Sequence, residues 1–230
     1  MEIQVQRTAE ALGHDDGARS ATRNARARRQ RYGVAPSRFD LASWRESKRE
    51  ELVAAATDAW GHHHLSRLPA GENPDGFEVE MRDLAPRTVA YIRVLDPYRG
   101  DGVREAFERL IAWAEARGLA DGQWLGYQWE DPEIVALEDC RYDVALEVDG
   151  VVAEGEIGRF DFPALRVAQV LIRGGVDHEM RALDWLFKTW LPASGYVPDD
   201  QPMFEAFLGR PFAHGFEHFE LHARIPVRRA

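Results

Sequence analysis

The sequence predicts an α+β fold in which two β-α-β-β repeats pair about a pseudo-twofold axis. Two segments support this first: Leu84–Val94 reads LAPRTVAYIRV and Phe162–Ile172 reads FPALRVAQVLI, and each contains the pair Val-Ala. Both segments are rich in apolar and β-branched residues, which is typical of a buried strand. Similarity at a fixed period indicates that one structural unit occurs twice.

The repetition continues through the rest of each unit. Trp113 of the first copy returns as Trp190, and the closing strands Tyr142–Val148 and Phe219–Ile225 keep nearly the same spacing. Each copy therefore reads strand, helix, strand, strand. Its single helix, Val103–Arg117 in the first copy, carries apolar residues at helical spacing. We expect the two helices to cover one sheet face and the other face to remain as a concave ligand cleft.

Composition divides the chain into three parts. Residues 1–39 form a basic arm, residues 40–76 a helix and a linker, and residues 77–230 the repeated domain, with repeats at about 77–150 and 155–228. The whole chain has a net charge of −10, which makes it a poor nucleic-acid binder by bulk charge.

The arm has no large apolar residue between Leu12 and Tyr32, although it contains six arginines there. It lacks the apolar stripe that would dock a helix, so a weakly stable basic helix and a disordered arm both remain open. Asp40–Trp60 is predicted to be a helix. The three adjacent histidines His62–His64 that follow would point in different directions, and Pro69–Gly76 reads as a linker.

A single acid, Glu205, stands in the otherwise apolar strand segment MFEAF. A carboxylate there is costly when it is buried and unpaired, so it either lies at an exposed edge or has a function. Strand alternation places Glu205 on the same face as Phe207 and opposite Phe204. Because we expect Phe204 to meet the helices, we predict that Glu205 points away from them into the cleft. Its counterpart in the first copy, Gln128 or Gly126, is uncharged.

Motifs across the domain carry a resemblance to a known family. They are Val89-Ala90-Tyr91, Asp96-Pro97-Tyr98, Glu130–Ile134, Cys140–Asp143, Trp190–Tyr196, Phe204-Glu205 and Ile225–Val227. Residues 77–228 thereby resemble the GyrI-like domain, the effector-binding module of AraC-type and MerR-type regulators. The resemblance implies a cleft that accepts lipophilic, often cationic, small molecules around a central carboxylate.

The candidate ligand-binding residues are the acid and its expected surroundings. They are Glu205, Tyr98, Phe207, Gln128, Tyr91, Trp185 and Trp190. A carboxylate among aromatic rings attracts a delocalised cation through charge and through cation–π contacts. Tyr98 is the favoured wall residue, whereas core packing is the alternative for the two tryptophans.

A shorter resemblance lies at Arg28–Phe39, RRQRYGVAPSRF, which is similar to the end of the second helix-turn-helix of AraC-type regulators. Only the final part of such a unit has room in this chain. We therefore predict a degenerate, truncated remnant that contacts DNA weakly, with Arg23, Arg26, Arg28 and Arg29 as the contacting residues.

The predicted function is a cytoplasmic effector-binding protein related to AraC-type regulators, with a lipophilic small molecule as its ligand and no cofactor. Two alternatives stay open: hydrolysis of strained electrophilic small molecules, with Glu205 as the catalytic group, and a protein-interaction role such as gyrase modulation. The single cysteine, Cys140, fits a reducing compartment and core packing, and no apolar run reaches membrane-spanning length. We expect no metal at His214, His218 and His222, because four residues along a strand span ~13 Å.

Overall fold

The structure is a computed structural model, and the residues that it describes are 40–60, 68–150, 152–215 and 218–230, with the side chains at 41–42 and 56–60 excepted. The basic arm, its four candidate DNA-binding arginines, the segment resembling a helix-turn-helix and the three adjacent histidines lie outside these residues. No helix within the described ranges is long and apolar enough to cross a membrane.

The domain alternates strands and helices in the predicted order. Its elements are α1 (Leu41–Trp60), β1 (Glu80–Leu84), β2 (Arg87–Leu95), α2 (Gly102–Glu115), β3 (Trp124–Gln128), β4 (Arg141–Glu147), β5 (Gly158–Phe162), β6 (Leu165–Gly174), α3 (Val176–Trp185), β7 (Tyr196–Pro198), β8 (Met203–Phe207) and β9 (Phe219–Arg229). Helix α3 continues through a π-helical stretch, Leu186–Trp190, and a last turn, Leu191–Ala193. The short strands β1 and β5 were not predicted, because they are short and most of their residues are exposed.

The strands form one antiparallel sheet in the order β1-β6-β9-β8-β3-β4-β2-β5, with β7 beside β9. Strands β6, β9 and β8 of the second copy correspond to β2, β4 and β3 of the first. The two copies meet at the β3–β8 pair, where Gly126 lies opposite Glu205. The predicted fold class, two paired repeats with a large sheet and few helices, is confirmed.

Two short connections force the sheet to curl. Strands β1 and β2 lie towards opposite ends of the strand order, yet only Ala85 and Pro86 separate them. Strands β5 and β6 are joined in the same way by Pro163 and Ala164. Such a link spans about 10 Å at most, so the two sheet edges must approach each other. The sheet therefore has an outer face, which carries α2 and α3, and an enclosed inner face.

Each face has its own core. On the outer face, the helix residues Phe107, Leu110 and Leu186 pack with sheet residues such as Val144 and Ile172. These side chains are almost fully buried, and burial of each large apolar side chain contributes ~1.5–3 kcal/mol.

The inner core contains sheet residues alone. Tyr127 stacks on Phe162 with ring centres 4.6 Å apart and contacts Phe204 at 5.1 Å. Val89 and Leu125 complete this cluster. Both sheet faces are therefore buried, which explains why the strands are apolar on both sides.

The part of α1 from residue 47 onwards is tied to α3 by ionic contacts. Arg49 donates to Glu133 at 2.8 Å and to Asp184 at 3.3 Å, and Arg49 and Asp184 are both buried. The Asp184 carboxylate also accepts hydrogen bonds from the Leu68 amide at 3.1 Å and from Lys188 at 2.5 Å. Asp184 therefore holds Arg49 of this part of α1 and the backbone at Leu68.

Candidate ligand-binding site

Glu205 lies on the outer, helix-covered face of the sheet, so its predicted direction is wrong. Its cross-strand neighbours are Gly126 and Ala223, and Ala223 belongs to the core that contains the helices. Phe204, on the opposite side of β8, packs in the inner core. The prediction failed because the curled sheet buries its inner face too, so an apolar side chain does not mark the helix side.

Two side chains from neighbouring strands hold the Glu205 carboxylate. The Tyr142 hydroxyl donates to Oε2 at 2.5 Å, and Gln128 Nε2 donates to Oε1 at 2.8 Å. Tyr142 on β4 lies directly opposite Gln128 on β3, which in turn is adjacent to β8. Glu205 is 7% exposed, so both donors act in a largely dry environment where hydrogen bonds to a charged group are strong.

Gly126 makes room for this arrangement. A Cβ atom at this position would lie 1.8 Å from the Tyr142 hydroxyl oxygen and 2.7 Å from Glu205 Oε2. Any side chain at residue 126 would therefore displace the tyrosine or the carboxylate.

Replacing Gly126 with Ala is expected to lower the free energy of unfolding by ~1–3 kcal/mol, because the added methyl group overpacks a buried site. Urea unfolding would measure this loss. Gly102→Ala is the matched control, since a Cβ there lies 3.4 Å from its nearest neighbour, Val94. Equal stability of the two variants would contradict the close packing of Tyr142 against Gly126.

A second carboxylate, Glu179, faces Glu205 from helix α3. Glu179 is 8% exposed, and its Oε1 atom is buried without a hydrogen-bond partner. It shares the buried side of the helix with Ala182 and Leu186, at the spacing i, i+3, i+7. Sequence reasoning missed this residue, although an acid on the apolar face of an amphipathic helix was the available signal.

The two carboxyl groups raise each other's cost of ionisation. Burial raises the pKa of Glu179 well above its ordinary value, and the charge of Glu205 adds to that shift. Burial also raises the pKa of Glu205, although the hydrogen bonds from Tyr142 and Gln128 act in the opposite direction. Two interacting carboxyl groups that are both buried favour a state in which the pair holds one proton. Glu205 is the better anion of the pair because it has two donors, so we assign the proton to Glu179.

Two tyrosine hydroxyls border the acid pair. Burial, followed by the Glu205 charge, raises the pKa of Tyr142 far above its usual range. Tyr98 is only partly buried as a residue, but its hydroxyl lies deep, and burial raises its pKa strongly, with Cys140, Glu205 and Glu179 among the further causes. Both tyrosines therefore stay protonated, and Tyr142 donates to Glu205. Tyr98, Gln128 and Glu205 are the predicted site residues that the structure brings together.

Two other predicted wall residues lie within the core. Phe207 packs edge-on against Phe107 at 5.5 Å, and Trp185 lies 5.9 Å from the Phe77 ring. Both are less than a tenth exposed. Their role as ligand contacts stays a prediction.

The described contacts of the remaining two aromatic residues involve groups other than the acids. Trp190 is partly exposed and stacks with Tyr196 at 6.4 Å. Tyr91 pairs with Ala145 on the inner face and lies under Arg93 at 5.4 Å. The role of Trp190 and Tyr91 as ligand contacts stays a prediction.

The acid pair has no basic partner in the described part of the chain, where no Lys, Arg or His forms an ion pair with Glu179 or Glu205. The described residues also contain no group of three or more His, Cys, Asp or Glu side chains that could hold a metal ion. Burial raises the pKa of Cys140 to about 12, so this thiol is un-ionised and inert near neutral pH. The site offers buried negative charge and hydroxyl donors.

The curled sheet, with polar groups enclosed beneath its helices, defines a small-molecule-binding domain. The chain belongs to the GyrI-like family, because the GyrI-like small molecule binding domain matches residues 77–228. A protein of Edwardsiella piscicida named DNA gyrase inhibitor is 34% identical over 163 residues, which cover 67% of this chain and 100% of that protein. A DNA gyrase inhibitor of Serratia proteamaculans is 29% identical over 157 residues, which cover 64% of this chain and 97% of that protein.

Solved structures share the fold at low sequence identity. The C-terminal domain of EcmrR has a TM-score of 0.50 and 14% identity, covering 67% of this chain and 99% of that one. A hydrolase from Listeria innocua has a TM-score of 0.50 and 13% identity, and the match covers 66% of this chain and 92% of that one. EcmrR in a DNA complex has a TM-score of 0.53 and 13% identity, covering 100% of this chain and 82% of that one.

Proposed function

We propose that this protein binds a lipophilic cation between its two repeats, with the Glu179–Glu205 pair as the charge anchor. The observation that carries this proposal is a pair of buried carboxyl groups without a basic partner among the described residues. Burying an ionised carboxylate is costly, and a bound cation removes most of that cost.

The surroundings favour a cation whose charge is spread over an apolar body. Tyr98 and Tyr142 present aromatic rings beside the acids, and such rings attract cations through their faces. A small inorganic cation would gain from the charge but would lose its hydration, whereas a large organic cation is already weakly hydrated. Binding of such a ligand by a regulator-type effector module, with weak DNA contact through the arm, forms part of the same proposal.

A set of probes with similar shape and different charge tests the proposal. Isothermal titration would compare tetraphenylphosphonium, neutral triphenylphosphine oxide and the anion tetraphenylborate. We expect saturable binding of the cation and at least ~10-fold weaker binding of the other two, which corresponds to ~1.4 kcal/mol. Equal affinity for the cation and the anion would refute the role of the acid pair.

Hydrolysis is a second candidate function because the structure supplies the second acid that the sequence did not reveal. Glu179 with a raised pKa can protonate a leaving group, while Glu205, held as an anion, can activate water. Turnover of a strained electrophile by the parent protein, and its loss in both Glu179→Gln and Glu205→Gln, would favour an enzyme. Binding without turnover would favour the effector role.

Gyrase modulation is a third candidate, supported by relatives that are named DNA gyrase inhibitors and match about two thirds of this chain. A supercoiling assay with purified gyrase addresses it directly. Inhibition by the parent and by Glu205→Gln alike would indicate a surface role that is separate from the cleft.

A further inference from the structure

The inner face of the sheet, opposite the acid pair, holds two guanidinium groups that form no ion pair with the described residues. Arg87 on β2 is 9% exposed, and Arg224 on β9 is partly buried. Their described hydrogen bonds go to neutral oxygens. Arg87 Nε and Nη2 donate to the Tyr127 hydroxyl at 3.2 and 3.1 Å, and Arg224 Nε donates to Gln169 Oε1 at 2.9 Å.

The two guanidinium groups share one aromatic ring. The Cζ atom of Arg87 lies 4.7 Å from the Phe204 ring centre, and that of Arg224 lies 5.8 Å from it. Arg87 is also 5.1 Å from the centre of Phe162. Burial lowers the pKa of Arg224, and the charges of Arg87 and Arg82 lower it further, whereas Tyr127 and the Glu147 carboxylate act in the opposite direction. Ring contacts orient both groups, but they do not neutralise two like charges.

Arg87 also has a donor without an acceptor. Its Nη1 atom is buried and has no hydrogen-bond partner. Buried donors are nearly always satisfied, and an unsatisfied charged donor costs more than a neutral one. Two other arginines of this face, Arg82 and Arg93, do have carboxylate partners, at 2.8 and 2.7 Å. Arg87 and Arg224 therefore differ from these two arginines in lacking a carboxylate partner.

We propose that Arg87 and Arg224 form a second ligand site, which binds a small oxyanion or the carboxylate of a small molecule on the sheet face opposite the acid pair. A guanidinium group presents parallel N–H donors that match the oxygens of a carboxylate or a phosphate. Arg224, which is partly exposed, lies at the entrance, and Arg87 lies at the buried end. The site shares no residue with the proposed cation site.

Isothermal titration of the whole chain tests this site with sodium benzoate and, separately, with inorganic phosphate, each at constant ionic strength. We expect saturable binding of at least one probe and a loss of ~10-fold or more in affinity in Arg224→Gln, as for the removal of one charge-assisted contact. The preferred probe would identify the ligand as a carboxylate or as a phosphate. Arg224→Lys, which keeps the charge but loses the paired donors, should bind with intermediate affinity.

The control is Arg173→Gln, because Arg173 is exposed and lies on the same face of β6 as Gln169. It should keep the parent affinity. Absence of saturable binding with both probes would overturn the proposal, and so would equal weakening in Arg173→Gln and Arg224→Gln. Loss of tetraphenylphosphonium binding in Glu205→Gln tests only the cation site, so the two proposals can fail separately.

Discussion

Glu205→Gln is expected to weaken tetraphenylphosphonium binding by ~1–3 kcal/mol, which is about a 5- to 150-fold loss of affinity. The amide keeps the size of the side chain, and its single oxygen can accept from Tyr142 or from Gln128, which donate to different oxygens of the carboxylate. It removes the negative charge from the buried site where Glu205 is 7% exposed. Isothermal titration of the parent and the variant would measure the difference.

The matched control for this loss is Glu72→Gln, which makes the same chemical change at an exposed residue of the linker. The control should bind the cation as the parent does. If Glu205→Gln also keeps the parent affinity, Glu205 is not the anchor. A loss in both variants would instead reflect the general negative charge of the chain.

The second large effect is expected in the affinity for the cation when the pH changes. A cation favours ionised carboxyl groups, so binding should expel the proton that Glu179 holds in the empty site. Affinity should therefore rise with pH, by up to about tenfold per pH unit, until Glu179 is ionised in the free protein. Titration between about pH 5 and about pH 8 would show this slope in the parent.

Glu179→Gln should flatten that dependence, because it removes the group that takes up the proton. The affinity of the variant should match that of the parent most closely at low pH, because the side chain of residue 179 is then uncharged in both proteins. A pH slope that is unchanged in Glu179→Gln would contradict the assignment of the proton to this residue.

The assignment of the proton to Glu179 also determines how the stability of the ligand-free protein changes with pH. A carboxyl group whose folded-state pKa is raised stabilises the fold fully below its unfolded pKa, and this contribution is lost as pH rises through the folded value. The parent should therefore lose stability relative to Glu179→Gln from about pH 5 upwards. His222, whose pKa is lowered by burial, acts with the opposite sign, but it is present in both proteins and cancels in the comparison.

Much of the fold was predictable from local patterns. The recurring Val-Ala at 89–90 and 167–168 gave the repeat, and the apolar spacing of Val103–Arg117 gave its helix, which is observed as Gly102–Glu115. The short strands β1 and β5 were not predictable in this way. Most of their residues are exposed, and each forms a strand by pairing with the first long strand of the other copy.

The sequence by itself determined the doubled unit, the family and the single acid of strand β8. Only the tertiary structure decided which sheet face carries Glu205 and that Glu179 lies against it. The physical reason is that strand alternation divides side chains between two faces but does not say which face a helix covers. The same holds for Arg87 and Arg224, which meet on one aromatic ring because two short connections curl the sheet.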